Sequence, residues 1–210
     1  VPIKRYYVLN YIPEKPNERL HQGAYPFVIR LKELDIEEAY ARPQIVYRQS
    51  PYELRYYFYK VWAVKPTRML TDLIHNHLVG VNLVSRVTRR FDEGQRPDYE
   101  MSGMIEAIEE YDSDELWYAH LALRLYCTRM SDGKVIYSRQ FDHRKRVYEQ
   151  KPEYVIKEMS AVMEHIMDQV VHDLDRTLAK EYGIPVRQPS TSQQSTSPSQ
   201  TRADESDGQK

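Results

Sequence analysis

The order of apolar and polar residues along the chain switches between the period of strands and the period of helices. Residues 116–129 show the strongest strand pattern, because apolar side chains occupy every second position and polar ones such as His120 lie between them. A period of two with one polar face is typical of a sheet that is covered on one side. With the hairpin turn signal Asp132-Gly133, this pattern predicts a three-stranded antiparallel meander over residues 99–147.

Shorter strands are predicted before the meander, each from alternating apolar residues between turn-forming ones. They are Arg5–Tyr11, Phe27–Leu34, the part of Tyr40–Arg48 that follows Pro43, Glu53–Ala63 and Leu83–Phe91. In the fourth of these strands, Leu54, Tyr56, Phe58 and Trp62 are predicted to share one face.

Two segments have the spacing of amphipathic helices. The first begins at Pro66, a position where a helix needs no N–H donor, and ends near Gly80. The second runs from Pro152 to about Leu178. Because each helix has one apolar stripe, both are predicted to lie on a sheet. The predicted fold class is α/β of the α+β kind, with a mixed, largely antiparallel sheet of about six strands and two amphipathic helices.

The chain of 210 residues divides into three parts by composition. Residues 1–25 are predicted to form an N-terminal strand and loop, and residues 26–185 a single domain. Residues 186–210 are rich in Ser, Thr and Gln and almost free of apolar side chains, so they are predicted to be disordered. The chain opens with Val1, which leaves open that a targeting segment has been removed.

Composition narrows the function classes. Lys plus Arg total 30 and Asp plus Glu total 31, which weighs against a dedicated nucleic-acid binder, since such proteins neutralise phosphates. No stretch approaches the roughly 20 apolar residues of a membrane-spanning helix. Tyrosine occurs 18 times against 4 phenylalanines. Most of these tyrosines are interpreted as strand formers on half-exposed faces, and an interaction surface is the alternative.

No motif predicts catalysis or a cofactor. Phosphate-binding glycine loops, the G-x-S-x-G elbow and H-E-x-x-H are absent from the sequence. Cys127 lies on the apolar side of its strand and is predicted to be an inert, buried thiol. The chain is therefore predicted to be non-enzymatic, with no catalytic, cofactor-binding or metal-binding residue assigned.

Three polar groups are candidate binding sites. His165, Asp168 and His172 lie on one side of the second helix, where they either ligate a metal or form its solvated face; the solvated face is the interpretation preferred. The acidic segment 112–115 is interpreted as a hairpin loop and not a calcium site. The arginines of 86–90, which precede Phe91, are interpreted as a solvated sheet edge and not a nucleic-acid surface.

One stretch resembles a known family. Residues 40–48 read Y-A-R-P-Q-I-V-Y-R, and Trp62-Ala63, Pro66 and Met69-Leu70 follow. This pattern is similar to that of the ABC-type transport auxiliary lipoproteins, the group that contains the paraquat-inducible protein C type. The resemblance extends over about Arg5 to Leu178. Ala41 departs from it, because Leu is usual at that position. The signature positions, which are also the candidates for an interaction site, are Tyr40, Arg42, Pro43, Gln44, Val46, Arg48, Trp62 and Pro66.

The resemblance implies a fold similar to the anticodon-binding-domain-like sandwich of the TolB N-terminal domain. It implies a periplasmic accessory protein, held on the outer membrane by a lipid on a cysteine upstream of Val1, with the inner membrane as the alternative. The implied partners are an MCE-type substrate-binding protein and its ABC transporter, which together move phospholipid or other hydrophobic cargo. Whether the chain also forms a homo-oligomer is left open by the sequence. The signature residues are expected mainly to hold the strand pair and the helix entry.

The sequence alone does not exclude two other functions. The first is an envelope binding module for outer-membrane assembly or polysaccharide export, similar to a TolB interaction domain. The second, suggested by the Arg and Tyr content, is a cytosolic or nucleic-acid-binding domain. A lipid-attachment segment before Val1 would exclude the second, and the neighbouring genes would separate the first from a transport role.

Overall fold

The computed structural model describes residues 3–16, 18–90, 96–113, 116–149 and 151–185. The strands are β1 (Arg5–Tyr7), β2 (Tyr25–Leu31), β3 (Asp35–Ile36), β4 (Gln44–Ser50), β5 (Glu53–Trp62), β6 (Val84–Thr88), β7 (Tyr99–Ser113), β8 (Leu116–Arg129) and β9 (Val135–Arg146). The helices are α1 (Pro66–Gly80) and α2 (Pro152–Glu181), and a single 3₁₀ turn spans Glu38–Tyr40. Three predictions concern residues outside this set: the disorder of 186–210, and the parts of two others that involve Phe91 and the acidic pair Asp114-Glu115.

The long strand β7 organises the sheet. One edge of β7 pairs with β8 along its whole length, and β8 pairs in turn with β9, which confirms the predicted meander. The other edge carries three short parallel strands in succession: β2 beside residues 99–101, β3 beside 104–105 and β4 beside 109–111. Beyond them lie β5 and β1 on one side and β6 on the other.

The predicted fold class is confirmed. The described residues form one mixed sheet of nine strands, more than the sheet of about six expected, because all eight predicted strand segments join it together with the two-residue β3. The long pairings, β4–β5, β7–β8 and β8–β9, are antiparallel. The parallel pairings extend over only a few residues each.

Both helices pack into one hydrophobic core. Each begins at its predicted proline, and α2 continues to Glu181. The apolar stripe of α2 lies over β8 and β9 and covers the fully buried side chains of Leu121, Leu123 and Leu125. We call this helix-covered side of the sheet the inner face, and the opposite side the outer face.

A β-bulge at Glu106 changes which side chains of β7 point inward. The pairing shifts between Ile105–Leu123 and Ala107–Ala122, so the alternation of faces is broken at this point. After the bulge, Glu110 pairs with Ala119 on the inner face and Glu109 pairs with His120 on the outer face.

Some local predictions were wrong. Strand β1 ends at Tyr7, because the chain then leaves the sheet and bonds elsewhere: Asn10 N–H donates to the Ser160 hydroxyl of α2. Phe58 does not share a face with Trp62, because the β4–β5 register shifts between Val46–Tyr56 and Gln44–Val61; Phe58 is 84% exposed and Trp62 is buried.

Candidate functional site

A buried carboxylate lies at the centre of a polar network on the outer face. Glu109 is 2% exposed. Its Oε2 accepts a hydrogen bond from the Tyr40 hydroxyl at 2.7 Å, and its Oε1 accepts from Arg48 Nε at 3.1 Å. His120 Nδ1 lies 2.9 Å from the same Oε1, and His120 Nε2 lies 2.8 Å from Asp142 Oδ1. We call these five residues the outer-face network.

Strand pairing brings the network together. Glu109 lies beside Val46 of β4 in a parallel pair and opposite His120 of β8 in an antiparallel one. Residues two apart on a strand share a face, so Arg48 reaches Glu109 from β4. Asp142 of β9 lies beside Ala122 and reaches His120. Tyr40 comes from the 3₁₀ turn, which places its hydroxyl over the strand.

The environment of Glu109 favours its charged form. Burial by itself raises the pKa of this carboxyl, but hydrogen bonds from His120 and Tyr40 and the charge of Arg48 together hold that pKa below its usual value. Burial and the bond to Glu109 raise the pKa of Tyr40 to about 12, so its hydroxyl stays a donor. Both ring nitrogens of His120 lie within hydrogen-bond distance of carboxylate oxygens, so the ring is held from both sides.

The outer-face network holds the 3₁₀ turn and strands β4, β7, β8 and β9 in fixed relative positions. Both oxygens of Glu109 accept hydrogen bonds, and its partners donate to it in good geometry. Arg48 also donates to the Pro51 carbonyl at 2.9 Å, which fastens the β4–β5 turn. The network forms the floor of an open depression of about 360 Å³ on the outer face, whose rim includes Tyr111 and Arg144.

A second buried carboxylate, Glu110, faces the inner side. It is also 2% exposed, and its Oε1 accepts from the Tyr57 hydroxyl at 2.8 Å and from Trp117 Nε1 at 2.6 Å. The Lys60 ammonium lies 3.5 Å from the centre of the Tyr57 ring. Burial raises the pKa of Glu110 and lowers that of Lys60. The adjacent residues Glu109 and Glu110 therefore lie in environments that shift the carboxyl pKa in opposite directions.

The structure places seven of the eight signature residues in two regions, and Gln44 lies in neither. Tyr40 and Arg48 belong to the outer-face network, and Val46 is buried beside Glu109 in the β4–β7 pair. Gln44 pairs with Val61. The remaining four, Arg42, Pro43, Trp62 and Pro66, line a groove of about 500 Å³ at the start of α1.

The structure does not bring the histidines of α2 to one centre. His165 stacks edge-on against His143 at 5.4 Å, whereas Asp168 lies 3.7 Å from His77 Nε2 of α1. In the part of the chain that the structure describes, no group of three or more His, Cys, Asp or Glu residues is arranged to hold a metal ion. Cys127 is buried, and burial raises the pKa of its thiol to about 12.

One of the arginines of residues 86–90, Arg89, forms ion pairs within the fold. Arg89 forms ion pairs with Asp72 of α1 and, at 3.9 Å, with Glu33. The acidic segment also differs from the expected loop, because Asp112 and Ser113 continue β7 and pair with Trp117 and Leu116.

Sequence reasoning missed Glu109, Glu110 and Asp142, and it assigned His120 to a solvated face. The available signal was the pair of adjacent glutamates inside a strand of otherwise alternating character. In a strand, neighbours point to opposite sides, so one of the two carboxylates had to enter the core side and required partners there.

Comparison with known proteins defines the class. The sequence model of the ABC-type transport auxiliary lipoprotein component family matches residues 7–171. The chain belongs to this family, and membership gives it an accessory role in ABC-type transport and a place in the cell envelope. Neither helix in the described residues is long and apolar enough to cross a membrane. A search of the curated proteins found no match.

Solved structures share the fold. Protein XCC0632 from Xanthomonas campestris has a TM-score of 0.76 and 18% identity, covering 85% of this chain and 99% of its own. An uncharacterized protein has a TM-score of 0.63 and 10% identity, and the match covers 82% of this chain and 99% of that protein. Hypothetical protein CT253 from Chlamydia trachomatis has a TM-score of 0.52 and 7% identity, and the match covers 74% of this chain and 99% of that protein. At these identities the similarity is one of fold alone.

Proposed function

We propose that this chain is a non-enzymatic accessory lipoprotein of an ABC/MCE-type system that moves phospholipid or other hydrophobic cargo across the cell envelope. It works by docking: the outer face binds the MCE-type substrate-binding protein or the transporter. A lipid on an upstream cysteine holds it at the periplasmic side of the outer membrane. Family membership supports the accessory role, and the make-up of the outer face supports docking.

The observation that carries the proposal is a Tyr/Arg surface on the helix-free side of the sheet. The Arg144 guanidinium lies 5.5 Å from the centre of the Tyr111 ring. Arg146 pairs with Tyr118 across β8 and β9 and lies 5.2 Å from the centre of the Tyr148 ring. We call these five residues the Tyr/Arg surface. Tyrosine and arginine are the residue types enriched at binding hot spots.

The charges of this surface are available to a partner. Arg144 and Arg146 are exposed, and no carboxylate of the described residues lies within 4 Å of either guanidinium. Tyr148 is 84% exposed. The outer-face network lies beneath Arg144 and holds the strands in place, so little ordering is needed on binding. The surface fits a partner with an acidic face.

A lipid anchor makes weak docking sufficient. Attachment to one membrane confines the domain to a layer near its partners and raises their effective concentration. The accessory protein then needs neither a large interface nor a catalytic group to act.

Co-purification from native envelopes tests the proposal. The full-length, lipidated protein is expected to retain ABC-transporter or MCE-type components. The double variant Arg144→Ala/Arg146→Ala is expected to bind these components about thirtyfold more weakly, since two charged hot-spot residues at about 1 kcal/mol each contribute about 2 kcal/mol together. Separation of inner and outer membranes in the same preparation locates the anchor.

The matched control is Lys157→Ala/Arg176→Ala, which removes two exposed charges from α2 on the opposite side of the molecule. It is expected to retain partners like the unmodified protein. Recovery of no transport component, with outer-membrane assembly or polysaccharide-export proteins in their place, would favour the envelope binding module. Equal loss in both double variants would overturn the assignment of the docking face.

A further inference from the structure

The groove at the start of α1 combines an apolar wall with positive charge. Its volume of about 500 Å³ lies within the range of small-molecule sites, roughly 300–1,000 Å³. Six of its lining residues are apolar or aromatic: Ile36, Ala41, Pro43, Trp62, Ala63 and Pro66. Trp62 is buried, and its backbone N–H donates to the Pro43 carbonyl at 2.7 Å. The wall is therefore fixed by the β4–β5 pairing.

Arg42 brings an unused donor to this groove. Its guanidinium carbon lies 3.7 Å from the centre of the Tyr56 ring, so the side chain is held by stacking. Its Nε is buried and has no hydrogen-bond partner. Nε itself is closed to solvent, but Arg42 as a whole is half-buried, so a ligand can reach the rest of the guanidinium, for which an anionic oxygen is the best acceptor.

The start of α1 adds positive potential beside Arg42. The first N–H groups of a helix have no acceptor within it, and the dipole makes this end positive. Here the first turn contains no acidic residue, and the N-cap residue Lys65 makes no capping bond with its side chain. Lys65 lines the groove with an exposed ammonium.

One carboxylate of the described residues, Glu33, lies beside the start of α1, but it pairs with neither cation of the groove. Neither Arg42 nor Lys65 forms an ion pair within the described ranges. Glu33 accepts a hydrogen bond from the groove residue Thr67 at 2.8 Å and lies 3.9 Å from Arg89, so the cation it pairs with is Arg89, which does not line the groove. The polar end of the groove is cationic and the remainder is apolar.

We infer that this groove binds an anionic single-chain amphiphile. The head, a phosphate or carboxylate, lies against Arg42, Lys65 and the start of α1, and the first part of the alkyl chain packs on Trp62 and the two prolines. The inference goes beyond the docking role and does not depend on it, because the groove and the Tyr/Arg surface share no residue.

Calorimetric titration of the full chain tests the inference. The probes are dodecyl phosphate below its micelle concentration, inorganic phosphate, and dodecyl maltoside as a neutral molecule with the same alkyl chain. Dodecyl phosphate is expected to bind one to one. Inorganic phosphate and dodecyl maltoside are each expected to bind at least about tenfold more weakly, since each offers only half of the contacts.

Variants assign the binding to the groove. Arg42→Gln and Lys65→Gln are each expected to weaken dodecyl phosphate binding about tenfold, as expected for a lost charge-assisted hydrogen bond. Arg68→Gln, an exposed charge of the same helix paired with Asp72, is expected to bind like the unmodified chain. Lys65 is exposed, so its variant decides the question even if Arg42→Gln fails to fold.

Three results would overturn the inference. The first is no binding of dodecyl phosphate. The second is equal binding of the neutral probe or of inorganic phosphate alone. The third is an equal effect of Lys65→Gln and Arg68→Gln, which would mean that the amphiphile binds to general surface charge.

Discussion

Glu109 and Glu110 show that the side of the strand to which a carboxyl points decides whether its charged form is favoured. The two residues are adjacent and equally buried, but they point to opposite sides of β7. Glu109 accepts from three donors that include the guanidinium of Arg48. Glu110 accepts from two neutral donors, Tyr57 and Trp117. The same carboxyl group is therefore stabilised as an anion on one side and disfavoured as an anion on the other.

Replacing each glutamate by glutamine should have unequal effects on stability. Glu109→Gln presents an amide N–H₂ to a group of donors and leaves the Arg48 charge without its partner, so the free energy of unfolding should fall by about 2–3 kcal/mol. Glu110→Gln keeps an oxygen that can accept from Tyr57 and Trp117, and it should cost less than about 1 kcal/mol. Urea denaturation at pH 7 measures both, and equal losses would contradict the two environments.

The pH dependence of the two variants should have opposite signs. The pKa of Glu109 in the fold is below its ordinary 4.5, so its stabilising contribution is complete above pH 4.5 and is lost as the pH falls through the lowered pKa. The stability gap between Glu109→Gln and the unmodified chain should therefore narrow in acid.

For Glu110 the pKa in the fold lies above 4.5. Its contribution is present below that value and is lost as the pH rises through the raised pKa, so Glu110→Gln should gain relative to the unmodified chain above pH 4.5. Urea denaturation from pH 3.5 to 7 measures both trends. Parallel profiles for the two variants would show that the carboxyls share one environment.

The residue scale was the hardest to predict from sequence. His120 occupies the polar side of β8, which alternation alone assigns to solvent. In the structure, Glu109 and Asp142 flank its ring on neighbouring strands. That contact depends on the register of β7, β8 and β9, and no local pattern in the sequence gives the register. The same holds for Tyr40, which joins the network from a turn.

At the scale of elements, β7 explains most of the architecture. Its length allows β2, β3 and β4 to pair with successive parts of one edge, while β8 occupies the other. Close approach to β8 needs a residue without a side chain at Gly103, which pairs with Leu125. A Cβ at this position would lie 2.3 Å from the Arg124 carbonyl oxygen and 2.7 Å from Leu125 Cδ2.

Gly103→Ala should therefore destabilise the fold by about 2–3 kcal/mol, because the contacted atom belongs to the backbone and cannot rotate away. Gly23→Ala is the matched control: its added Cβ would meet only the His21 ring at 3.9 Å, and a change within about 0.5 kcal/mol is expected. Thermal unfolding of the two variants measures the difference. Equal midpoints would mean that β7 and β8 are not packed this closely.

The elements themselves were largely predictable, and for a physical reason. Helices α1 and α2 and strands β7 to β9 repeat one local pattern over many residues, and local periodicity is visible in a single sequence. Strand β3, the bulge at Glu106 and the exposed position of Phe58 depend on pairing between distant segments. A one-residue shift in such a pairing moves side chains to the other face, which is why the face predicted for β5 was wrong.

At the scale of the whole molecule, the two helices cover one side of the sheet, and we propose that the helix-free side binds a partner. The Tyr/Arg surface lies on that free side, and the groove with Arg42 lies at the start of α1. Family membership was recognisable from residues 40–48 and the Trp62–Pro66 segment, because these form one continuous strand pair and helix entry. The Tyr/Arg surface was not recognisable, since its residues come from three strands and a loop.

Site-specific photo-crosslinking in intact cells tests the docking claim most directly. A photoreactive amino acid replaces Tyr118 or Tyr148 on the outer face in the full-length lipoprotein, and Lys157 or Arg176 on α2 in the matched controls. We expect the outer-face positions to crosslink to an MCE-type or ABC-transporter component and the α2 positions to give no such product. Crosslinks to that component only from α2, or from neither side, would contradict the account.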